Sequence, residues 1–144
     1  MQHSAAAVVT ATTFLWLGMV LAISFIEAPL KFRAPGITIP LGLGIGRLVF
    51  RALNGVEVVL ALTVLVTVVG GGAPTAVLAP AVVVAVILAV QLGAIRPSLN
   101  RRSNRVLAGE NLPRSRAHIY YVACESIKVL VLLALGVAAL AGGS

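Results

Sequence analysis

Long apolar runs without charge dominate the chain and predict membrane-spanning helices. Residues 5–26 carry no charged side chain. This run suffices to cross a hydrocarbon core of about 30 Å at about 1.5 Å per residue, and we interpret it as a retained helix rather than a cleaved signal peptide. Residues 58–95 also carry no charge, about twice the length that one crossing needs. A turn at residues 70–74, Gly-Gly-Gly-Ala-Pro, is predicted to divide this run into two helices.

The fourth helix is less obvious, because its uncharged part begins only at Val129. Extending it back to about residue 115 gives the required length and brings several polar side chains into the membrane. The sequence therefore predicts one all-α domain, residues 1–144, in which four transmembrane helices form a bundle. The predicted helices are residues 5–31, 46–69, 75–96 and 115–141, with Pro97 ending the third and the glycines at 42, 44 and 46 in a flexible or partly re-entrant connection.

Composition supports a membrane location and argues against a nucleic-acid partner. The 144 residues are 60% hydrophobic and only 10% charged, with no aspartate, which leaves too little polar surface for a soluble domain. The formal net charge is +7, but aromatic residues are few and the cations lie near helix ends, so anionic lipids at the cytoplasmic face are the predicted partner. No cofactor or metal is predicted, since the Glu-x-x-His spacing of di-iron bundles is absent.

The distribution of cations predicts the orientation. Of the 11 lysines and arginines, all but Lys128 fall in residues 31–51 or 96–116. Positive charge favours the cytoplasmic side of a membrane, so the connections around 33–46 and 98–114 are predicted to be cytoplasmic. With four helices, both termini then face outward from the cell membrane.

Polar residues at helical spacing form the candidate binding site. On the fourth helix, His118, Tyr121, Glu125 and Lys128 lie within one arc of the helix surface. The second and first helices carry similar polar faces, and the third contributes mainly Gln91. Ionisable groups at membrane depth are costly and normally face a bundle interior, so these faces should converge. The predicted substrate-binding residues are Glu57, Glu125, Lys128, His118, Tyr121, Asn54, Arg51 and Glu27.

Three functional interpretations fit these polar faces. The first is a small-molecule or ion binder or transporter, with a vestibule that is open to the cytoplasm and sealed outside by apolar helix halves, and proton coupling would suit it. The second is a structural or assembly subunit, or homo-oligomer, in which the charges only pair: Glu27 with Lys31, Glu125 with Lys128, and Glu57 near Arg51. An enzyme comes third, because no nucleophile, base and orienting group stand at a recognisable spacing.

A weak internal echo at an offset of 68 residues relates the two halves of the chain. The matched pairs are Pro29 and Pro97, Arg33 and Arg101, and Glu57 and Glu125. A true repeat would relate two parallel hairpins by a pseudo-two-fold axis along the membrane normal and would bring both acids near that axis.

Three short motifs carry a family resemblance. They are Ala28-Pro29-Leu30-Lys31-Phe32, Gly46-Arg47-Leu48-Val49-Phe50 and Pro97-Ser98-Leu99-Asn100-Arg101, followed by His118. Together they resemble the pattern of small four-helix integral membrane proteins of unknown function, which include bacterial members and a eukaryotic transmembrane protein associated with platinum-drug resistance. The resemblance covers roughly residues 24–125 and implies a four-helix topology. Glu57 and the polar face of the fourth helix lie outside the shared pattern.

Overall fold

Four long helices make up the protein. The computed structural model describes residues 1–112 and 116–143, and within those residues it contains helices and turns but no strand. The helices are α1, His3–Arg33; α2, Ile39–Gly70; α3, Thr75–Leu107; and α4, Arg116–Gly142. Each is long and apolar enough to cross a membrane, so the all-α four-helix prediction is confirmed and the chain is a multi-pass membrane protein.

The helices run alternately up and down and form a four-sided bundle. Each packs against its neighbours in the order α1, α2, α3, α4 and back to α1. The predicted glycine turn joins α2 to α3, and Gly72 there adopts a positive φ of 63°, which a side chain would strain. Gly71 lies close to Ala5, and Gly143 close to Ala6. This turn and both ends of the chain therefore lie at one end of the bundle, opposite the two basic connections.

The α1–α2 connection is shorter than the sequence predicted. Helix α2 begins at Ile39 rather than near residue 46, because the Thr38 hydroxyl accepts a hydrogen bond from the Leu41 N–H at 3.2 Å and Pro40 occupies the first turn. The three glycines assigned to a flexible or re-entrant connection are helical. Two of them permit close packing, since a Cβ would meet Phe32 at Gly42 and Lys31 at Gly46.

Pro29 and Pro97 both lie within long helices, although the sequence predicted that Pro97 would end one. Helix α3 continues past Pro97 to Leu107, so the predicted end near residue 96 is wrong. A proline ring collides with the carbonyl four residues earlier, and here that residue is Gly93, within the π-helical turn Gln91–Ile95. Helix α1 repeats this arrangement, with Pro29 following the π-helical turn Leu21–Glu27. The wider turns accommodate both rings without ending the helices.

The half of the bundle near the chain termini is packed with aliphatic side chains. The buried residues there are Val9, Val64, Val68, Val77, Ala81, Val84, Leu132, Leu135 and Ala139. The start of α4 predicted at residue 115 lies outside the described residues, and the helix is observed from Arg116. This aliphatic layer seals one end of the bundle and leaves the polar residues deeper along the helices.

Gly71 and Gly70 provide a matched test of packing at the sealed end. A Cβ on Gly71 would lie 2.7 Å from the Ala5 Cβ, whereas one on Gly70 would meet nothing within 4 Å. We expect Gly71→Ala to lower the free energy of unfolding by about 1–2 kcal/mol through overpacking. Gly70→Ala should leave it unchanged or raise it. Thermal unfolding of both variants in the same detergent checks this, and equal midpoints would contradict the close α1–α2 contact.

Candidate functional site: a buried lysine between two glutamates

Lys128 lies at the centre of the bundle between two carboxylates from different helices. Its Nζ is 2.6 Å from Glu57 Oε2 on α2 and 2.6 Å from Glu125 Oε1, one turn earlier on α4. All three side chains are buried, with at most 2% of the side-chain surface exposed. We call Glu57, Glu125 and Lys128 the triad. Measured along the helices from the sealed end, these residues lie about 20–26 Å deep.

Helices α1 and α3 complete the hydrogen bonding of the triad. Gln91 on α3 accepts from Lys128 Nζ at 2.9 Å and donates through Nε2 to Glu125 Oε1 at 2.8 Å. From α1, the Ser24 hydroxyl donates to Glu125 Oε2 at 2.5 Å, and the Trp16 indole N–H donates to Glu57 Oε2 at 2.8 Å. The network therefore joins all four helices. Buried charges in a membrane require such partners, because lipid supplies none.

The two π-helical turns supply the neutral side chains that donate hydrogen bonds to Glu125. Ser24 lies within the turn Leu21–Glu27, and Gln91 begins the turn Gln91–Ile95. Such turns are rare within helices and are often found at functional sites, because they shift side chains out of regular register. Both prolines of the 68-residue echo follow these turns, and both of its acids belong to the triad. Whether the halves are a true repeat stays a prediction.

The two glutamates are unequally satisfied. Glu125 uses both oxygens: Oε1 accepts a hydrogen bond from Gln91 and pairs with Lys128, and Oε2 accepts a hydrogen bond from Ser24. Glu57 receives its two donors on Oε2 alone, while its buried Oε1 has no hydrogen-bond partner. With every group ionised, the triad would carry two negative charges against one positive. A buried excess charge is expensive, so this arrangement favours one additional proton or cation at the site.

The structure divides the predicted site residues into three groups. Glu57, Glu125 and Lys128 come together, and Tyr121 is buried one turn from Glu125 on α4. Arg51 and Asn54 lie together further toward the basic end of the bundle, where they line a separate cavity. The third group lies apart from both: His118 is exposed on α4, and Glu27 pairs with Lys31, with 3.7 Å between Oε2 and Nζ.

Two of the three predicted ion pairs are present and one is wrong. Glu27 pairs with Lys31 and Glu125 with Lys128, as helical spacing indicated. Glu57 pairs with Lys128 across the bundle instead of with Arg51 on its own helix. The two side chains lie on different faces of α2, because Glu57 is buried in the interior while Arg51 is exposed.

A stack of side chains separates the triad from the basic end. The Arg96 guanidinium lies 4.8 Å from the Phe50 ring centre and 4.4 Å from that of Tyr121, and the two rings meet edge to face at 5.8 Å. Tyr121 is itself buried. The carboxylates that the sequence placed in an open vestibule are thus closed to solvent in this conformation.

Three residues that contact the triad were not among the predicted binding residues: Trp16, Ser24 and Gln91. Ser24 and Gln91 lie on polar helix faces, and Gln91 is the most polar side chain in the long uncharged run. Trp16 stands too deep in its helix for an interfacial anchor, and it is fully buried. A buried indole needs an acceptor for its N–H, so a tryptophan at this depth indicates a polar partner in the bundle interior.

The remaining acid lies outside the membrane-spanning helices. Glu110, in the connection after α3, accepts two hydrogen bonds from the Arg105 guanidinium, at 3.0 and 3.3 Å. This pairing lowers the pKa of the Glu110 carboxyl below its ordinary value. Its contribution to stability is therefore present at neutral pH and is lost as the pH falls through that lowered pKa. Both side chains are exposed, so the contribution is small.

Trp16 offers a test of the hydrogen bond to Glu57. We expect Trp16→Phe to lower the free energy of unfolding by about 2 kcal/mol, because Glu57 Oε2 loses one of its two donors in a buried place. Leu15→Ala, at a position that is 57% exposed on the same helix, is the control and should change stability far less. Chemical or thermal unfolding in detergent measures both. Equal effects would mean that the indole contributes packing rather than a hydrogen bond.

Neither a metal site nor a known relative accompanies the triad in the part of the chain that the structure describes. Among residues 1–112 and 116–143, no group of three or more His, Cys, Asp or Glu side chains is arranged to hold a metal ion. Comparison of the chain with protein-family models, with curated proteins and with solved structures gives no match.

Proposed function

We propose that this membrane protein binds an exchangeable proton at the triad and uses it in binding or transporting a small molecule or ion. The observation that carries the proposal is the single ammonium of Lys128 shared by two buried carboxylates, 2.6 Å from each. Two acids against one base leave room for one proton. One acid and one base would balance each other's charge, so the second acid is the feature that the proposal explains.

The proton belongs on Glu57. Both oxygens of Glu125 accept a hydrogen bond and one of them also pairs with Lys128, which stabilises its charged form, whereas Glu57 has a free oxygen at Oε1 that a proton can occupy without disturbing any hydrogen bond. With Glu57 neutral, Lys128 and Glu125 form a balanced ion pair. Loss of that proton leaves an excess negative charge in the core, which a change in helix packing or a cation must offset. This is the physical basis for coupling a proton to a conformational change.

Access to the triad is from the basic end. The opposite half of the bundle is closed by aliphatic side chains, while the stack of Phe50, Arg96 and Tyr121 stands between the triad and the polar cavity at the basic end. The cation distribution favours a cytoplasmic location for that end. Protons would therefore reach Glu57 from the cytoplasm when the stack opens.

The fluorescence of Trp16 tests proton binding directly, since this is the chain's one tryptophan and its N–H contacts Glu57. We expect the emission of the protein in lipid nanodiscs to change with pH as Glu57 gains or loses its proton. Glu57→Gln should abolish that change. Glu110→Gln, which removes an exposed acid, should leave it intact. A wild-type emission that is constant over the whole pH range of stable folding would contradict the proposal.

A structural or assembly role is the second candidate, and the closed network favours it. The triad and its partners tie all four helices together, as interhelical hydrogen bonds in membrane proteins do. In that case the triad would hold its charge state at every pH, and the fluorescence titration would be flat. Partners would then be other membrane proteins or a second copy of the chain, packed against the exposed apolar helix faces.

Orientation has its own test by cysteine labelling. In a Cys124→Ala background, we expect Asn111→Cys, in the basic connection, to be protected from a membrane-impermeant maleimide in intact cells. Ser4→Cys, at the start of α1, should react without lysis. Both positions are exposed in the structure, so a difference between them reports the side of the membrane. Reversed labelling would place the basic end, and access to the triad, outside the cytoplasm.

A further inference from the structure

A small polar cavity lies between α2 and α3 at the basic end of the bundle, apart from the triad. Its volume is about 140 Å³, and it is lined by Arg47, Arg51 and Asn54 of α2 and by Arg96 and Asn100 of α3. The guanidinium groups can only donate hydrogen bonds, and the two amides donate as well as accept. The lining therefore presents an excess of donors and three positive charges.

None of the chain's acids lines this cavity. The chain contains four acidic side chains, all glutamates. Glu27 pairs with Lys31, Glu110 pairs with Arg105, and Glu57 and Glu125 share Lys128 within the triad. Three guanidinium groups around one cavity repel each other unless an anion joins them. An anion from lipid or solution would supply this counter-charge.

Two of the arginines are held in place before any anion binds. Arg96 is stacked between the rings of Phe50 and Tyr121, and its Nε and Nη2 are buried without a hydrogen-bond partner. Arg47 is held through Nη1 by the Asn104 side-chain oxygen. Arg51, in contrast, is exposed at the rim. Donors fixed in this way lose little entropy when they bind, which favours a specific site over a diffuse basic surface.

We propose that this cavity is a binding site for a phosphate group. Arginine forms paired hydrogen bonds to phosphate oxygens, and three guanidinium groups suit an anion with several oxygens pointing in different directions better than a planar carboxylate. The phosphate belongs either to the headgroup of an anionic phospholipid or to a free phosphate-bearing solute. The site does not depend on the proton chemistry of the triad and stands if that chemistry is absent.

The test compares two double variants that remove the same charge from the same end of the protein. Arg47→Gln with Arg51→Gln changes the cavity, and Arg33→Gln with Arg101→Gln changes exposed arginines outside its lining. Circular dichroism and gel filtration first establish that both remain folded. Arg96 is kept, because its stacking against two rings gives it a separate role in packing.

Each source of phosphate has its own measurement. For lipid, native mass spectrometry after incubation with phosphatidylglycerol or phosphatidylcholine measures retained lipid. For a free solute, the thermal midpoint of delipidated protein is compared in phosphate and in chloride at equal ionic strength. We expect phosphatidylglycerol retention, a phosphate-dependent rise in the midpoint, or both, in the wild type. The cavity variant should lose the binding by about tenfold or more, while the surface variant keeps it.

The outcomes separate the possibilities. Lipid retention alone identifies a headgroup, and a phosphate effect alone identifies a free solute. Equal losses in the two double variants would show that only net charge matters and would overturn the proposal. So would a wild-type protein that responds to neither probe. Because Glu57 and Lys128 are untouched, failure here leaves the Trp16 titration as an independent test of the triad.

Discussion

Replacing Lys128 with methionine is expected to lower the free energy of unfolding by about 3–5 kcal/mol, the usual cost of removing one partner from a buried ion pair. Methionine has a similar length, so the packing of the core is largely kept. The loss arises because Glu57 and Glu125 then lie buried without their common cation. Thermal or chemical unfolding in detergent micelles measures it. Arg105→Met, which breaks an exposed pair, is the control and should have little effect.

A second variant distinguishes loss of charge balance from simple misfolding. Adding Glu57→Gln and Glu125→Gln to Lys128→Met leaves the core with neutral amides that can still bond to Trp16, Ser24 and Gln91. We expect this triple variant to recover most of the lost stability, since removing all the charges avoids an unpaired buried ion. A Lys128→Met protein as stable as the wild type would show that the ammonium is dispensable.

The triad also shows which features of the site could be predicted from sequence. Glu57 and Lys128 could be placed in the bundle interior because charges at membrane depth avoid lipid, a strong constraint that needs no tertiary information. Their pairing could not be predicted. It depends on the helices meeting as a four-sided bundle that brings α2 and α4 within reach across the centre, and helical spacing alone suggested partners on the same helix.

Helix ends were predicted correctly only where neighbouring residues in the sequence determine them. The glycine turn between α2 and α3 was read correctly, because consecutive glycines followed by proline both end one helix and begin the next. Pro97 was misread, because a proline's effect depends on whether the preceding turn can widen, and the turn Gln91–Ile95 does so. Gln91 begins this widened turn and donates to Glu125, a contact that its polarity indicated but its spacing along the chain did not.

The unequal hydrogen bonding of the two glutamates leads to the sharpest prediction about the proton. Glutamine has the shape of a protonated glutamic acid. In Glu57→Gln, the amide oxygen can take the place of Oε2 and accept from Trp16 and Lys128, and the amide nitrogen takes the unpartnered Oε1 position. We expect stability to change by less than about 1 kcal/mol, the net worth of one ordinary hydrogen bond.

Glu125→Gln should behave differently because both of its oxygens are in use. The amide nitrogen can donate to the Ser24 hydroxyl, which accepts as well as donates, but the remaining amide oxygen is uncharged and binds Lys128 and Gln91 more weakly than a carboxylate does. We expect a loss of about 3 kcal/mol from the charge-assisted bonds that disappear. Equal stability of the two glutamine variants would contradict the assignment of the charge to Glu125 and of the proton to Glu57.

Infrared spectroscopy then locates the proton itself. A protonated carboxyl group has a carbonyl stretch distinct from that of a carboxylate, and a buried one should be present in the wild-type protein near neutral pH. Glu57→Gln should remove this band, while Glu110→Gln should retain it because Glu110 is ionised beside Arg105. A wild-type spectrum without the band would mean that the triad keeps its excess negative charge. The unpartnered oxygen of Glu57 would then have to be met by a cation rather than by a proton.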